Sequence, residues 1–173
     1  MGGNLSFTGA GSKILLGVHD LTMTNAAGTV TATTDHPTNG YVVTNGTGKF
    51  VKVFGSNSTF NFPIGDDIND YTPISVQFTG SGYSSSSSIK ASVIDLTHPN
   101  VNIPATSTSY LSRYWDVDVL NITSIHSNFT ATYIASDVVG TESQIAGASY
   151  EGTAWNFNNS SINTVNKTVS VTS

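Results

Sequence analysis

The chain has 173 residues, the size of one domain or of two small ones. Only 10% of the residues are charged, whereas Ser, Thr and Asn make up more than a third of the chain, and this composition favours strands and turns over helices. The net charge is −5, and the six Lys and Arg residues are scattered. Because nucleic acids and anionic membranes attract clustered positive charge, we expect neither as a partner.

The absence of cysteine excludes disulfides, thiol catalysis and cysteine metal sites. No apolar run approaches the ~20 residues that span a bilayer, so we expect no membrane insertion. A polar, Thr-rich chain without cysteine is typical of an extracellular bacterial β-protein. The composition therefore predicts an extracellular or bacterial cell-surface location.

Short strand-like runs bounded by Gly, Asn or Asp follow one another through residues 1–55, and no helical period interrupts them. Their spacing suits either a meander or the rungs of a β-solenoid. The sequence therefore predicts a short solenoid-like or meander sheet over 1–55. The predicted strands are Asn4–Phe7, Lys13–Leu16, Asp20–Thr24, Gly28–Thr34, Tyr41–Thr44 and Lys49–Phe54.

Residues 56–173 have longer runs with one apolar face, which predicts an antiparallel β-sandwich. Whether this domain and residues 1–55 form one continuous compact unit stays open. The predicted strands are Ser58–Phe62, Thr72–Phe78, Ile89–Leu96, Tyr110–Leu120, His126–Ala135, Ser143–Tyr150, Thr153–Phe157 and Ile162–Val171. Alternation directs Trp115, Val117 and Val119 inward together and pairs Trp155 with Phe157. Glu151-Gly152 is predicted to be a two-residue hairpin turn.

A cluster of oxygen-bearing side chains lies in the turn segment between the predicted strands Ser58–Phe62 and Thr72–Phe78: Asp66, Asp67, Asn69 and Asp70. Carboxylate and amide oxygens are the ligands that Ca²⁺ prefers, so these residues are the candidate metal site. Their spacing differs from the EF-hand loop. A polar turn without a metal is the alternative, because Asp and Asn also stabilise turns.

Asp116 and Asp118 lie on one face of a predicted strand, about 7 Å apart. Paired carboxylates at such a distance occur in glycoside hydrolases, but a solvated strand face is the simpler interpretation. The four histidines lie in separate segments, and no Gly-x-Ser-x-Gly elbow accompanies the many serines. We therefore predict no catalytic residues and no enzymatic activity.

Exposed Tyr and Trp rings can stack on sugars, and Tyr83 and Tyr114 are the best candidates for such a role. Lys52 falls between Phe50 and Phe54 on one strand face, which is an unusual position for a charge. Either its ammonium group reaches solvent at the sheet edge or the side chain forms an isopeptide bond with a nearby Asn or Asp.

Several short motifs, in a constant order, resemble a module of large proteins exported by the bacterial type IX secretion system. The motifs are Gly3–Phe7 through Leu21–Met23, Tyr41–Gly48, Phe62–Gly65 with Tyr71–Ile74, Arg113–Trp115, Ala131–Tyr133 and Tyr150–Trp155. The resemblance implies a cell-surface or secreted adhesin-like protein, with this module near the end of a repetitive β-rich region. It also implies a further strand and a sorting signal beyond Ser173, and it carries over no catalytic residue.

Together these observations predict a non-enzymatic extracellular structural or adhesion module, which could form part of a fibre. The expected partners are other modules of the same chain or like subunits. The alternative is a carbohydrate-binding module of a secreted polysaccharide-degrading enzyme, whose partner would be a polysaccharide.

Overall fold

A computed structural model of the chain shows an all-β structure. The residues it describes are 1–9, 11–32, 40–67, 69–102 and 106–173. In these ranges the helical elements are two 3₁₀ turns, Ala135–Asp137 and Glu142–Gln144, and no helix is long and apolar enough to cross a membrane. The prediction of an all-β fold, with an antiparallel sandwich preceded by a short solenoid-like or meander sheet, is confirmed.

Six short strands form two successive rungs of a parallel β-solenoid. The first rung comprises β1 (Leu5–Phe7), β2 (Lys13–Leu15) and β3 (Leu21–Met23), and the second comprises β4 (Val30–Ala32), β5 (Tyr41–Val43) and β6 (Phe50–Val53). Each strand of the second rung pairs in parallel with its counterpart in the first. Because the strands of a meander are antiparallel, the solenoid alternative is the correct one.

Two glycines allow the solenoid rungs to stack closely at one corner. A Cβ atom on Gly46 would lie 2.2 Å from the carbonyl oxygen of Gly17, and one on Gly48 would lie 2.3 Å from that of His19. The amide of Gly48 also donates a 2.9 Å hydrogen bond to the Gly17 carbonyl. The turn Asn45–Gly48 therefore needs glycine because main chain packs directly on main chain.

Two sheets of longer strands form the sandwich. The five-stranded sheet has the order β17-β18-β13-β9-β7, and the four-stranded sheet has the order β12-β10-β6-β3. Their further strands are β7 (Ser58–Phe62), β9 (Ile74–Ser81), β10 (Ser88–Ile94), β12 (Tyr114–Leu120), β13 (Thr123–Thr132), β17 (Ser161–Asn163) and β18 (Thr168–Thr172). The short strands outside these sheets are β8 (Ile64–Gly65), which pairs in parallel with β5, β11 (Tyr110–Leu111) with β14 (Val138–Val139), and β15 (Ser149–Tyr150) with β16 (Trp155–Asn156).

Strand β6 belongs to the solenoid and to the sandwich at the same time. On one side it pairs in parallel with β3, and on the other it pairs antiparallel with β10. The ring of Phe50 on β6 lies 5.6 Å from that of Phe62 on β7, edge to face, and the ring of Phe54 lies 4.9 Å from that of Phe78. One hydrophobic core therefore contains residues from both 1–55 and 56–173.

Lys52 is buried within β6, with 1% of its surface exposed. Its ammonium group donates hydrogen bonds to the carbonyl oxygens of Asn25 at 3.0 Å, Ala26 at 2.8 Å and Val53 at 2.7 Å. It does not reach solvent at a sheet edge, and its acceptors are main-chain carbonyls rather than a side chain that could form an isopeptide. The lysine thus attaches the turn between the two solenoid rungs, between β3 and β4, to β6.

The structure corrects several local predictions in the second half of the chain. Trp155 and Phe157 do not form an inward pair, because β16 ends at Asn156 and Phe157 is 55% exposed. Tyr150 pairs with Trp155, so the hairpin loop has four residues instead of two. The predicted strand Ser143–Tyr150 retains only its last two residues, since a 3₁₀ turn occupies 142–144.

Candidate functional site

The only arginine of the sequence, Arg113, lies at the centre of an acidic cluster just before β12. Its Nε donates a 2.8 Å hydrogen bond to Asp137, and its Nη1 forms an ion pair with Asp66. Its Nη2 lies 3.4 Å from a carboxylate oxygen of Asp70 and 3.4 Å from one of Asp95. The Arg113 side chain is 1% exposed, so this network supplies the counter-charges that a buried guanidinium needs.

Burial and charge act in opposite directions within this cluster. Burial raises the pKa of Asp66 above its ordinary value, although the hydrogen bond from Arg113 acts to lower it. Burial also disfavours the charged form of Arg113, but the hydrogen bonds to Asp137 and Asp66 outweigh it and raise the pKa of Arg113. The guanidinium therefore stays charged and holds three separate chain segments together.

The structure brings together only part of the predicted calcium loop. Asp66 and Asp70 are joined by Asp95, and carboxylate oxygens of the three lie within 4.8 Å of one another. The other two predicted ligands act locally: Asp67 accepts a 3.3 Å hydrogen bond from the amide of Asn69. Oxygen atoms so placed suit a hard cation, but the Arg113 guanidinium already supplies a positive charge to all three carboxylates.

The two predicted sugar-stacking tyrosines are not neighbours. Tyr83 follows β9, where its hydroxyl donates a 2.8 Å hydrogen bond to Asn57, and Gly80 and Ile122 lie beside it. Tyr114 begins β12, and its ring lies 4.9 Å from that of His98. Since Ile122 follows the other end of β12, the two rings occupy opposite ends of this strand.

Tyr114 instead joins an aromatic cluster that the sequence did not indicate. His98 contacts the rings of Tyr114, Tyr150 and Trp155 at 4.8–5.1 Å between centroids. Its Nδ1 accepts a 3.1 Å hydrogen bond from the amide of Asn100, which requires an unprotonated nitrogen there. Burial lowers the pKa of His98, in agreement with this geometry. The cluster ties the hairpin β15–β16 to the start of β12.

A groove of about 740 Å³ extends from the aromatic cluster between β12 and the segment 144–157. Apolar side chains from both sheets line it, with Val117 and Val119 on β12 and Phe129 and Val171 on β13 and β18. Two residues before this segment, Glu142 accepts hydrogen bonds from Tyr133 at 2.8 Å and from Lys167 at 2.7 Å. These bonds hold the start of the segment in place. Burial and the bond to Glu142 raise the pKa of Tyr133 to about 12.

The carboxylate pair Asp116 and Asp118 lies on the outer face of β12, away from the inner face that carries Val117 and Val119. The ammonium group of Lys49 bridges the pair, at 2.6 Å from Asp116 and 2.8 Å from Asp118. Both aspartate side chains are about half exposed. An acid–base pair for glycoside hydrolysis lies in a walled cleft, whereas this lysine-bridged pair lies on a half-exposed strand face.

Four residues of these clusters were not identified from the sequence: Asp95, His98, Arg113 and Asp137. A signal was present in Arg113, because it is the single arginine in a chain with many aspartates. His98 offered no comparable signal, since its partners come from distant segments. Of the four histidines, His36 lies outside the described residues.

Comparisons with known proteins identify no relative. No protein-family model matches the chain, and no curated protein or solved structure is significantly similar to it.

Proposed function

We propose that this chain is a non-enzymatic structural module of an extracellular bacterial surface or secreted protein, in which it joins a parallel β-solenoid to a β-sandwich. The observation that carries the proposal is the double pairing of β6, parallel to β3 and antiparallel to β10. A force or a contact that acts on the solenoid is transmitted directly through this strand into the sandwich. Its partners are then other modules of the same chain or like subunits.

Two further observations support a structural role. The buried Lys52 hydrogen-bonds the turn between the two rungs to β6, and the Phe50–Phe62 contact continues the core across the junction. The low content of charged residues, the Thr- and Ser-rich composition and the resemblance to type IX secreted adhesin-like proteins favour the extracellular surface. The Lys49 bridge between Asp116 and Asp118 favours a non-enzymatic role for this pair.

Single-molecule pulling tests the proposal. The full chain, placed between two reference domains and pulled from its ends, should unfold in one event that releases about 600 Å of chain, the extended length of all its residues. Two separate events, one for residues 1–55 and one for 56–173, would contradict the proposal. A Phe50→Ala variant should lower the force of the single event, while Val165→Ala, at an 88% exposed site, should leave it unchanged.

Polysaccharide binding is the second candidate, favoured by the rings of Tyr114, Tyr150 and Trp155 that line the groove. Stacking on a sugar requires a free ring face, whereas these rings pack edge to face on His98 and on one another. Retention of the chain on an insoluble polysaccharide, lost in Trp155→Ala and kept in Tyr83→Ala, would establish this candidate instead.

A further inference from the structure

The two sheets of the sandwich are unequal on one side. The five-stranded sheet continues past β13 into β18 and β17, whereas the opposing sheet ends at β12. Within the described residues no strand pairs with the outer edge of β12. Burial falls accordingly along the inner face: Ile89 on β10 is 0% exposed, but its partner Val119 on β12 is 36% exposed. The core is thus left open where a fifth strand of this sheet would lie.

The groove occupies the position of that strand. Val117 and Val119 form one wall, the inner faces of β13 and β18 form the floor with Phe129 and Val171, and Phe157 also lines the groove. β12 offers seven residues of edge, about 24 Å of main chain. An extended segment paired with this edge would direct alternate side chains onto the apolar floor and the others outward.

The outward side chains of such a segment would meet negative charge. Asp116 and Asp118 both lie on the outer face of β12, where Lys49 bridges the two carboxylates. Lys90 lies opposite Asp118 on β10 but pairs with Asp20, so this face carries three aspartates and two lysines. Glu151 also lines the groove. Across neighbouring strands opposite charges are stabilising and like charges are destabilising. Pairing of β12 with β12 of a second copy would oppose the two aspartate pairs, so the charge pattern disfavours a homodimer through this edge.

We propose that the outer edge of β12 binds an extended segment of a different polypeptide, in which apolar residues alternate with Lys or Arg. The main chain of the segment pairs with β12, its apolar side chains fill the groove, and its cations contact Asp116 and Asp118. This is strand addition to an exposed sheet edge, in which the main chain supplies affinity and alternate side chains supply specificity. The proposal rests on the groove and the edge, independently of the structural role proposed above.

The test uses the full chain and a labelled synthetic peptide as long as β12, in which Val alternates with Lys. Fluorescence polarisation should show saturable binding, and a matched peptide with Glu in place of each Lys should bind at least about tenfold more weakly. Asp116→Asn with Asp118→Asn should remove most of this preference. Failure of the Lys peptide to saturate, or equal binding of the two peptides, would overturn the proposal.

The inner face is tested by Val119→Glu, with Val165→Glu as the control. The new carboxylate would be trapped beneath the added strand, so binding should be lost, although Glu by itself adds attraction for the Lys peptide. The control carries the same charge at an 88% exposed site and should bind normally. Since Val119 is already 36% exposed, its variant should fold, as circular dichroism will verify. Unchanged binding by Val119→Glu would contradict strand addition. A polysaccharide or a second copy found in the groove would contradict the proposed occupant.

Discussion

The Nε atom of Arg113 lies 2.8 Å from Oδ2 of Asp137, and the two side chains are only 1% and 2% exposed. Asp137 also accepts a 3.0 Å hydrogen bond from the amide of Ile134, which fixes the 3₁₀ turn Ala135–Asp137. The pair therefore connects the start of β12 to the turn after β13. Because both groups are buried, the loss of either one would remove a counter-charge of the other in the protein interior.

Replacement of Arg113 by Met should lower the free energy of unfolding by about 3–5 kcal/mol, since it leaves buried carboxylates without their cation. Denaturant unfolding measures the change. Lys90→Met is the matched control, because Lys90 pairs with Asp20 at the surface and its loss should cost less than about 1 kcal/mol. Equal effects of the two substitutions would show that the cluster does not stabilise the fold.

Calcium should have little effect on the wild-type protein. The guanidinium of Arg113 already contacts Asp66, Asp70 and Asp95, so a bound Ca²⁺ would have to be held beside a fixed positive charge. The measurement is thermal unfolding in millimolar CaCl₂ and in EDTA. We expect equal midpoints; a higher midpoint in calcium that disappears in Asp66→Asn would instead establish the metal site predicted from the sequence.

Replacement of Lys52 by Met should lower stability by about 1–3 kcal/mol, because carbonyl groups of Ala26 and Val53 lose a buried donor. Lys90→Met again serves as the control, and equilibrium unfolding is the measurement. An unaltered midpoint would contradict the link between β6 and the turn that joins the two rungs. The wild-type intact mass should equal the sequence mass, since loss of one ammonia or water would reveal an isopeptide bond.

Acidification should loosen the aromatic cluster around His98. Because the pKa of His98 is lowered in the folded protein, the unfolded chain binds a proton more readily, and folded stability falls as the pH drops below about 6.5. The protonated ring would also lose its bond from the amide of Asn100. Fluorescence of Trp155 should therefore change between pH 7 and pH 5, and His98→Phe should remove the change. A pH response that persists in this variant would assign it to another group.

The solenoid was the part of the fold most open to prediction. Its strands lie within the short runs that Gly, Asn and Asp residues delimit, as at Tyr41–Val43. Parallel pairing could not be derived, because the same runs suit a meander. Gly46 and Gly48 are required by the stacking of the rungs. The sequence alone does not show this, because it does not place Gly17 and His19 beside them.

The candidate site was less predictable because its contacts are long-range. The acidic loop was identified, yet Arg113 is 47 residues from Asp66 in sequence, and no local pattern connects them. The prediction that Phe157 points inward with Trp155 was wrong because β16 ends at Asn156. Alternation along a strand does not determine the direction of a side chain beyond its end. Local periodicity predicts faces of strands, whereas ion pairs and groove walls depend on the packing of distant segments.

Native-state hydrogen exchange shows whether β6 makes the solenoid and the sandwich one cooperative unit. The amides of β5 and β6 should exchange with the same free energy, and the same dependence on denaturant, as those of β9 and β13, because they open only when the whole chain unfolds. Exchange of β5 and β6 through a smaller opening, at lower free energy and with weaker dependence on denaturant, would contradict the account.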